Sequence, residues 1–408
     1  MDLAHAEALD AADTLAGFRD AFELPQGLIY LDGNSLGPLP RATAPRLDAL
    51  VRREWGEKLI TSWNGAGWIE APERVGGKIA RLIGAKAGEV VAADSTSTNL
   101  FKVAAGALSL RPGRRTIVTE RGNFHTDIYV LEGLCAVAGA TLKVVEPDEV
   151  LAAIDDDTAA VVLTHVHYKT ARRWDMAGVT AAAHARGALA IWDLSHTTGA
   201  LAVDLHAARA DLAVGCGYKY LNGGPGAPAF LFVAERHQGA IAQPLSGWMG
   251  HAAPFAFEDS YRPAGDIRRL LCGTPPILGL AALEAGVDLQ LQADPKAVEA
   301  KGLALCDLFI RLTEARCAGH GLELVGPREA DARGLHVSFA HPDAYAIVQA
   351  LIARGVVGDF RDPDVARFGF SPLYLRFADV WDAVEILREV MAARAFDTPE
   401  FRSRAAVT

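Results

Sequence analysis

The chain has little of what several protein classes require. None of its five cysteines (Cys135, Cys216, Cys272, Cys306 and Cys317) forms a Cys-x-x-Cys pair, and the count is odd. A disulfide scaffold and a structural zinc site are therefore excluded as readings, and a reducing compartment is expected. No apolar run approaches the roughly 20 residues that cross a bilayer. The opening stretch, MDLAHAEALDAADTLAGF, lacks the basic start and continuous apolar centre of a secretory leader. The expectation is a cytoplasmic protein with no membrane partner. Positive charge is also short: 40 Lys and Arg against 50 Asp and Glu give a formal net charge of -10. The basic pairs Arg52-Arg53, Arg114-Arg115, Arg172-Arg173 and Arg268-Arg269 are isolated from one another. They read as solvated surface and offer no clustered face for nucleic acid.

What is present is apolar and rhythmic. Of 408 residues, 50% are hydrophobic, enough for a large core and for two domains. Short β-rich runs occupy 116–120, 141–147, 159–166, 188–195, 212–217 and 229–235, with helical patterns between several of them. The runs lack polar alternation, so both faces of the sheet should be covered, as in a parallel α/β sheet. From about 277 the pattern changes. Two long helical stretches (277–292 and 295–319) precede short strands, a helix near 343–354 and a final helix near 379–395. This reads as a smaller α+β unit.

In an open α/β sheet, ligands bind beyond the carboxyl ends of the strands. Asp193 and His196 follow one run, and Tyr218 and Lys219 follow the next, in the turn GCGYKYLNGGPG. Phe124 and Asp127 follow TIVTE, and STSTN precedes a helical pattern as an N-cap and potential anion site. Each feature alone has an ordinary structural explanation: a solvated lysine, a turn carboxylate, a packed histidine, a simple cap. Together an amine, a carboxylate, an aromatic ring and a phosphate cradle at one sheet edge are what pyridoxal 5'-phosphate requires. The glycines of the turn are expected to let the backbone and Lys219 approach a flat cofactor.

YLDGNSLGPLP (30–40), FHTDIY (124–129), WDLSHTTGAL (192–201), GCGYKYLNGGPGAPAFLFV (215–233) and LSGWMGH (245–251) resemble the kynureninase family over roughly residues 28 to 390. The resemblance implies the fold type I, PLP-dependent transferase-like architecture. A large domain with a mainly parallel seven-stranded sheet would span 56–275, a small α+β domain 276–408, and residues 1–55 would pack with the small domain. It implies Lys219 as the lysine that condenses with the cofactor aldehyde, Asp193 as partner of the ring nitrogen, His196 as a contact on the same loop, and Phe124 as the stacking residue. Asp127, Thr96, Ser97 and Thr164 become further cofactor contacts. Tyr218 contacts the phosphate and takes part in proton transfer. Trp248 and Thr274 would come from the neighbouring subunit of a homodimer. Arg367 would grip the substrate α-carboxylate, with Asn34, Ser35 and Trp63 at the substrate. Two departures stand out: Thr274 replaces an Asn of some relatives, and HYKTAR lacks the glycine often found in that loop.

The implied reaction is hydrolysis of the Cβ–Cγ bond of L-kynurenine to anthranilate and L-alanine in tryptophan degradation. Trp63 and Thr274 lean toward substrate without the 3-hydroxyl. The main alternative is a cysteine desulfurase or selenocysteine lyase, which on this chain leaves Cys272 as the only loop cysteine for the nucleophile. A catalytically silent sensor would need an added effector module, and none is evident. A nicotinamide dehydrogenase is disfavoured because GGPGAP precedes a strand instead of opening a helix.

Overall fold

The computed structural model describes residues 2–404. A seven-stranded sheet is built from β1 (Val90–Ala92), β2 (Thr116–Glu120), β3 (Thr141–Val145), β4 (Thr158–Thr164), β5 (Leu189–Asp193), β6 (Leu212–Gly215) and β7 (Phe230–Val233). Their order is β1-β7-β6-β5-β4-β2-β3. Strands β2 to β6 pair in parallel, whereas β7 is antiparallel to both neighbours. The run at 229–235 was expected to be parallel like the rest. It is reached through the glycine-proline turn, without the helical crossover that parallel pairing requires. Edge strand β1, which carries no strong sequence signal, again runs in the direction of β6.

Period-two alternation explains how the sheet is buried on both sides. Val161, Leu163, Ala190 and Trp192 enter one apolar layer, while Ala160, Val162, Leu189 and Ile191 enter another. All of these are almost wholly shielded from solvent. The consequence for function is directional. The carboxyl ends of β1, β2, β4, β5 and β6 emerge at the same edge, and the loops that follow them carry the polar residues.

The C-terminal part holds a four-stranded antiparallel sheet of β8 (Glu323–Val325), β9 (His336–Ala340), β10 (Asp359–Arg361) and β11 (Val365–Gly369), in the order β8-β9-β11-β10. The helices Pro295–Arg316 and Phe377–Ala392 cover it. Ala6, Leu15, Phe22 and Leu31 from the N-terminal stretch share this core with Leu305, Phe309 and Val384. The Asp10 carboxylate accepts the N–H groups of Phe377 and Ala378 at 2.7 and 3.0 Å, satisfying the start of the last long helix. Ile29–Tyr30 pairs in parallel with Val356–Val357, and Asp32 bridges to Gly369. This pairing delivers Asn34 and Ser35 to the sheet edge where Lys219 lies.

Candidate active site

Two adjoining cavities of about 580 and 560 Å³ flank Lys219. Both are lined by Phe124, Tyr168, His196, Tyr218 and Lys219. The first continues to Asp193, Thr164 and the Ser95–Ser97 turn, and the second to Ser35, Arg361 and Arg367. Volumes of this size are typical of small-ligand sites. The lysine therefore stands at a junction, with carboxylates and a helix N-terminus on one side and guanidinium groups on the other. Lys219 Nζ lies 3.1 Å from His196 Nε2, which also lies 3.2 Å from the Asn34 carbonyl oxygen. A protonated amine needs Nε2 as acceptor, and a neutral amine lets it donate, so the histidine tautomer follows the state of the lysine. Burial first, and the Lys219 charge second, hold His196 well below the ordinary histidine range, so the ring is neutral.

Asp193 ends β5, and its Oδ1 accepts the Ser195 N–H at 2.7 Å. Asp127 lies in the first turn of the helix His125–Ala138, and its Oδ2 accepts from Thr164 Oγ1 at 3.4 Å. Both carboxyls are fully enclosed, and burial raises them; Asp193 adds a repulsive contribution at Asp127. Two buried acids side by side call for a positive charge or a shared proton. The helix Thr96–Leu110 begins in the same cavity, capped by Ser95, whose hydroxyl accepts the Thr98 N–H at 3.3 Å. Thr96 Oγ1 is enclosed with no hydrogen-bond partner among the described residues. An orphaned hydroxyl at a helix N-terminus, an acid pair and a lysine fit the phosphate, ring nitrogen and aldehyde of pyridoxal phosphate. Thr96, Ser97, Asp193, Asp127, Thr164, Phe124 and Lys219 are the residues that would hold it.

Several contributors carried no sequence signal that was read as functional. Asn123 Oδ1 accepts the Phe124 N–H at 2.8 Å and the Thr164 hydroxyl at 2.5 Å, tying the ring-facing residue to the end of β4. Tyr168 meets Phe124 edge-on at 5.4 Å between ring centroids. Asp359 lies across β10 and β11 from Arg367. Two of the turn glycines are also required within the turn itself. A Cβ on Gly217 would strike the Pro228 carbonyl, and one on Gly223 would strike the Gly217 carbonyl. These glycines let the turn fold closely on itself, which in turn aims Lys219. Tyr220 is buried on the opposite side and donates its hydroxyl to the Leu335 carbonyl at 3.1 Å.

Arg367 is nearly enclosed, at 2% side-chain exposure. Its Nε donates to Asp359 Oδ1 at 2.8 Å, Nη2 to Ser35 Oγ at 2.7 Å and to Asp359 Oδ2, and Nη1 to the Tyr168 carbonyl at 2.6 Å. Asn34 is buried behind His196, with its carboxamide unpartnered among the described residues. Trp63, Trp248 and Thr274 do not line either cavity. Trp63 packs edge-on against Trp68, and Trp248 against Phe255. Trp248, Phe255 and Phe257 are exposed, as is Thr274. Cys272 lies outside both cavities, its thiol raised by burial and 2.9 Å from the Leu245 carbonyl.

The fold and the cavity define a fold type I pyridoxal phosphate enzyme. A cysteine desulfurase from Thermococcus onnurineus superposes with a TM-score of 0.76 at 19% identity, covering 92% of this chain and 98% of that one. The Escherichia coli cysteine desulfurase CsdA gives 0.75 at 19% identity, covering 94% and 98%. Likenesses at this identity define the architecture alone. The sequence carries the assignment further. Residues 298–387 match the model of the kynureninase C-terminal domain. A kynureninase from Pseudomonas fluorescens is 54% identical over 98% of this chain and 98% of its own, and one from Burkholderia pseudomallei is 52% identical over the same shares. The chain belongs to the kynureninase family.

Proposed function

We propose that the protein hydrolyses the Cβ–Cγ bond of L-kynurenine, releasing anthranilate and L-alanine, with pyridoxal phosphate bound against Lys219. The observation that carries this reading is the family identity over nearly the whole chain, joined to a cleft in which Lys219 separates an acid-lined cavity from an arginine-lined one. Bound pyridoxal phosphate supplies an electron sink that makes the substrate Cα–H acidic and the Cβ–Cγ bond breakable. Asp193, fully enclosed, would keep a proton on the ring nitrogen, with the Asp127 carboxyl adding to the acid pair. Phe124, fixed through Asn123, would cover the ring face. Lys219 Nζ takes the α-proton, and neutral His196 accommodates either state of that amine. Burial raises the Tyr218 phenol above its ordinary range, so it keeps its proton and serves as donor to the alanine-forming carbon. Arg367 and Ser35 hold the amino-acid end of the substrate.

Trp248 and Thr274 are exposed outside this chain's own cleft, and Trp248 packs against exposed Phe255. That arrangement supports a homodimer in which each subunit lends them to the other. The lean toward the unhydroxylated substrate rests on Trp63 and Thr274. Five unpaired cysteines support a reducing, cytoplasmic setting, and no helix among the described residues is long and apolar enough to cross a membrane. The test is anthranilate fluorescence from L-kynurenine with purified protein and pyridoxal phosphate, beside Lys219→Ala. Release that vanishes in the variant is expected. A yellow, cofactor-loaded protein that releases no anthranilate would refute the substrate, and 3-hydroxykynurenine and cysteine would be tried next.

A further inference from the structure

Three buried polar side chains meet beside Lys219 with nothing to bond to. His196 Nδ1, both ring nitrogens of His336, and Nδ2 and Oδ1 of Asn34 are five enclosed polar atoms with no hydrogen-bond partner among the described residues. They belong to one place. His336 opens β9 directly opposite Gly369 on β11, and directly opposed residues share a face of the sheet. A Cβ on Gly369 would strike Asn34 Oδ1, so the Asn34 carboxamide fills the space that Gly369 leaves open beside His336. The His336 ring centroid lies 5.3 Å from that of His196, tilted by 55°. Asn34 and His336 line neither cavity, so the cluster lies outside the cleft and reaches it only through His196.

A neutral imidazole has one N–H and one bare nitrogen. When Lys219 is an ammonium, His196 Nε2 is bare, and Nδ1–H needs a buried acceptor. The charged groups that act on His196 are Lys219, Arg367 and Arg361, all donors, with His336 as the other ring. The Asn34 carbonyl, 3.2 Å from Nε2, works against the ammonium state, because it accepts from Nε2–H. The acceptors left in the cluster are neutral: Asn34 Oδ1 and a bare nitrogen of His336. Burial first, then Arg367, keep that ring uncharged, with Asp359, His167 and Lys219 also acting on it. Neither acceptor bonds Nδ1 directly, and a gap of this kind between polar groups is where a bridging water sits. A buried water needs about three polar partners, and these side chains supply them.

We propose that Asn34 and His336 hold a water molecule against His196 Nδ1, and that this water lets Lys219 keep a proton in an enclosed site. The inference rests on the role given to Lys219 above, that of taking the substrate α-proton. The water accepts Nδ1–H, Nε2 stays bare, and the lysine N–H donates to it across 3.1 Å. Asn34 and His336 are positioning residues that act through His196. Losing the water penalises the two lysine states unequally. It strands a buried N–H when the lysine is charged but only a bare nitrogen when it is neutral, and an orphaned donor is the costlier of the two. Without the water, Lys219 therefore shifts toward the neutral amine.

The experiment starts from cofactor-free wild type with isotope-labelled histidine, read by nitrogen NMR, the His196 signals being assigned by their loss in His196→Asn. Where Lys219 is charged, Nδ1 should carry the proton, and the tautomer should reverse as the lysine is neutralised. A His196 that keeps its proton on Nε2 at every pH overturns the proposal. A crystal structure should show one ordered water bonded to His196 Nδ1 and to His336 or Asn34; a dry gap overturns it too. Cofactor association requires the neutral amine, so the pH midpoint of its rate follows Lys219. In His336→Phe that midpoint should fall by about one pH unit, the tenfold that one hydrogen bond is worth. The kcat for L-kynurenine should fall about tenfold with KM within about threefold, because the cluster does not meet the substrate. His336→Gln keeps a donor and an acceptor and should restore both quantities. An unchanged midpoint in His336→Phe, or a Gln variant no better than Phe, overturns the proposal. If His336→Phe folds poorly, the wild-type spectra and crystal structure decide. If wild type releases no anthranilate, the functional reading fails, while the spectra and the midpoint still decide the role of the water.

Discussion

Lys102 is completely buried in the helix Thr96–Leu110, with its amine paired to a carboxylate. Its Nζ donates to Asp94 Oδ2 at 2.6 Å and to the Leu270 carbonyl at 2.5 Å. Asp94 lines the Lys219 cavity and immediately precedes the turn expected to hold the cofactor phosphate. It also adopts φ 49°, a left-handed conformation that needs an anchor. Replacing Lys102 with Met removes both bonds at similar volume. Breaking one side of a fully buried ion pair costs about 3–5 kcal/mol. Asp94 keeps 32% side-chain exposure, so water recovers part of that, while the Leu270 carbonyl is left without its partner. The expected loss is about 2–3 kcal/mol. Urea unfolding of cofactor-free wild type, Lys102→Met, Asp94→Asn and the double variant reads it. The double variant should recover about 1 kcal/mol or more relative to Lys102→Met, because no unpaired carboxylate remains. Affinity for pyridoxal phosphate should also fall in Lys102→Met, since an unneutralised Asp94 then sits beside the phosphate turn. A loss under about 0.5 kcal/mol with unchanged cofactor affinity would refute the reasoning, because no buried charge pair broken in this way is that cheap.

Ala171 takes φ 61°, a left-handed conformation that favours glycine. Ala171→Gly should therefore stabilise the protein by about 0.5–1 kcal/mol, and a lower urea midpoint in that variant would contradict the backbone argument. His336 is buried without a hydrogen-bond partner among the described residues, and burial first, then Arg367, lowers its pKa well below the usual value. The unfolded chain takes up that proton below pH of about 6.5 and the folded chain does not, so stability falls as pH falls through that value. His336→Leu should flatten the acid-side slope of unfolding free energy by up to about 1.4 kcal/mol per pH unit; an unchanged slope would exclude His336 as a contributor. Arg367→Met leaves Asp359, at 3% exposure, without its main partner, so a stability loss of about 3–5 kcal/mol should accompany weaker substrate binding. Denaturant titration beside KM separates the two effects, and a fully stable variant would show that Arg361 alone satisfies Asp359.

Much of the sheet was legible because buried strands are short, β-rich and bounded by turn residues. The runs read at 116–120, 141–147, 159–166 and 188–195 became the strands Thr116–Glu120, Thr141–Val145, Thr158–Thr164 and Leu189–Asp193. The misread strand was Phe230–Val233: an apolar run shows that it is buried but carries no mark of direction, which the short turn before it decides. Val90–Ala92, at three residues, is too short for periodicity to show. The site divides in the same way. Lys219, Asp193, Phe124 and Asp127 follow strand runs, so the carboxyl-end rule found them. Asn123, Tyr168, Asp359 and Arg361 act through partners 41 to 326 residues away or across a small-domain hairpin, and no local pattern announces such a partner.

The sequence by itself determined which segments are buried, that an amine and a carboxylate end neighbouring strands, and which family the chain resembles. Those are local properties: apolar spacing, turn chemistry and quoted motifs survive without knowledge of distant contacts. Only the tertiary structure decided how the charges are shared. Pairing of β10 with β11 placed Asp359 against Arg367, with Arg361 on the same face of β10 sharing that carboxylate. The fold of the turn set Lys219 Nζ 3.1 Å from His196. Hydrogen-bond saturation is a property of three-dimensional neighbourhoods, because each donor is assigned by whatever the fold brings within about 3 Å. A sequence names the donors; the packed chain decides which of them remain for a substrate.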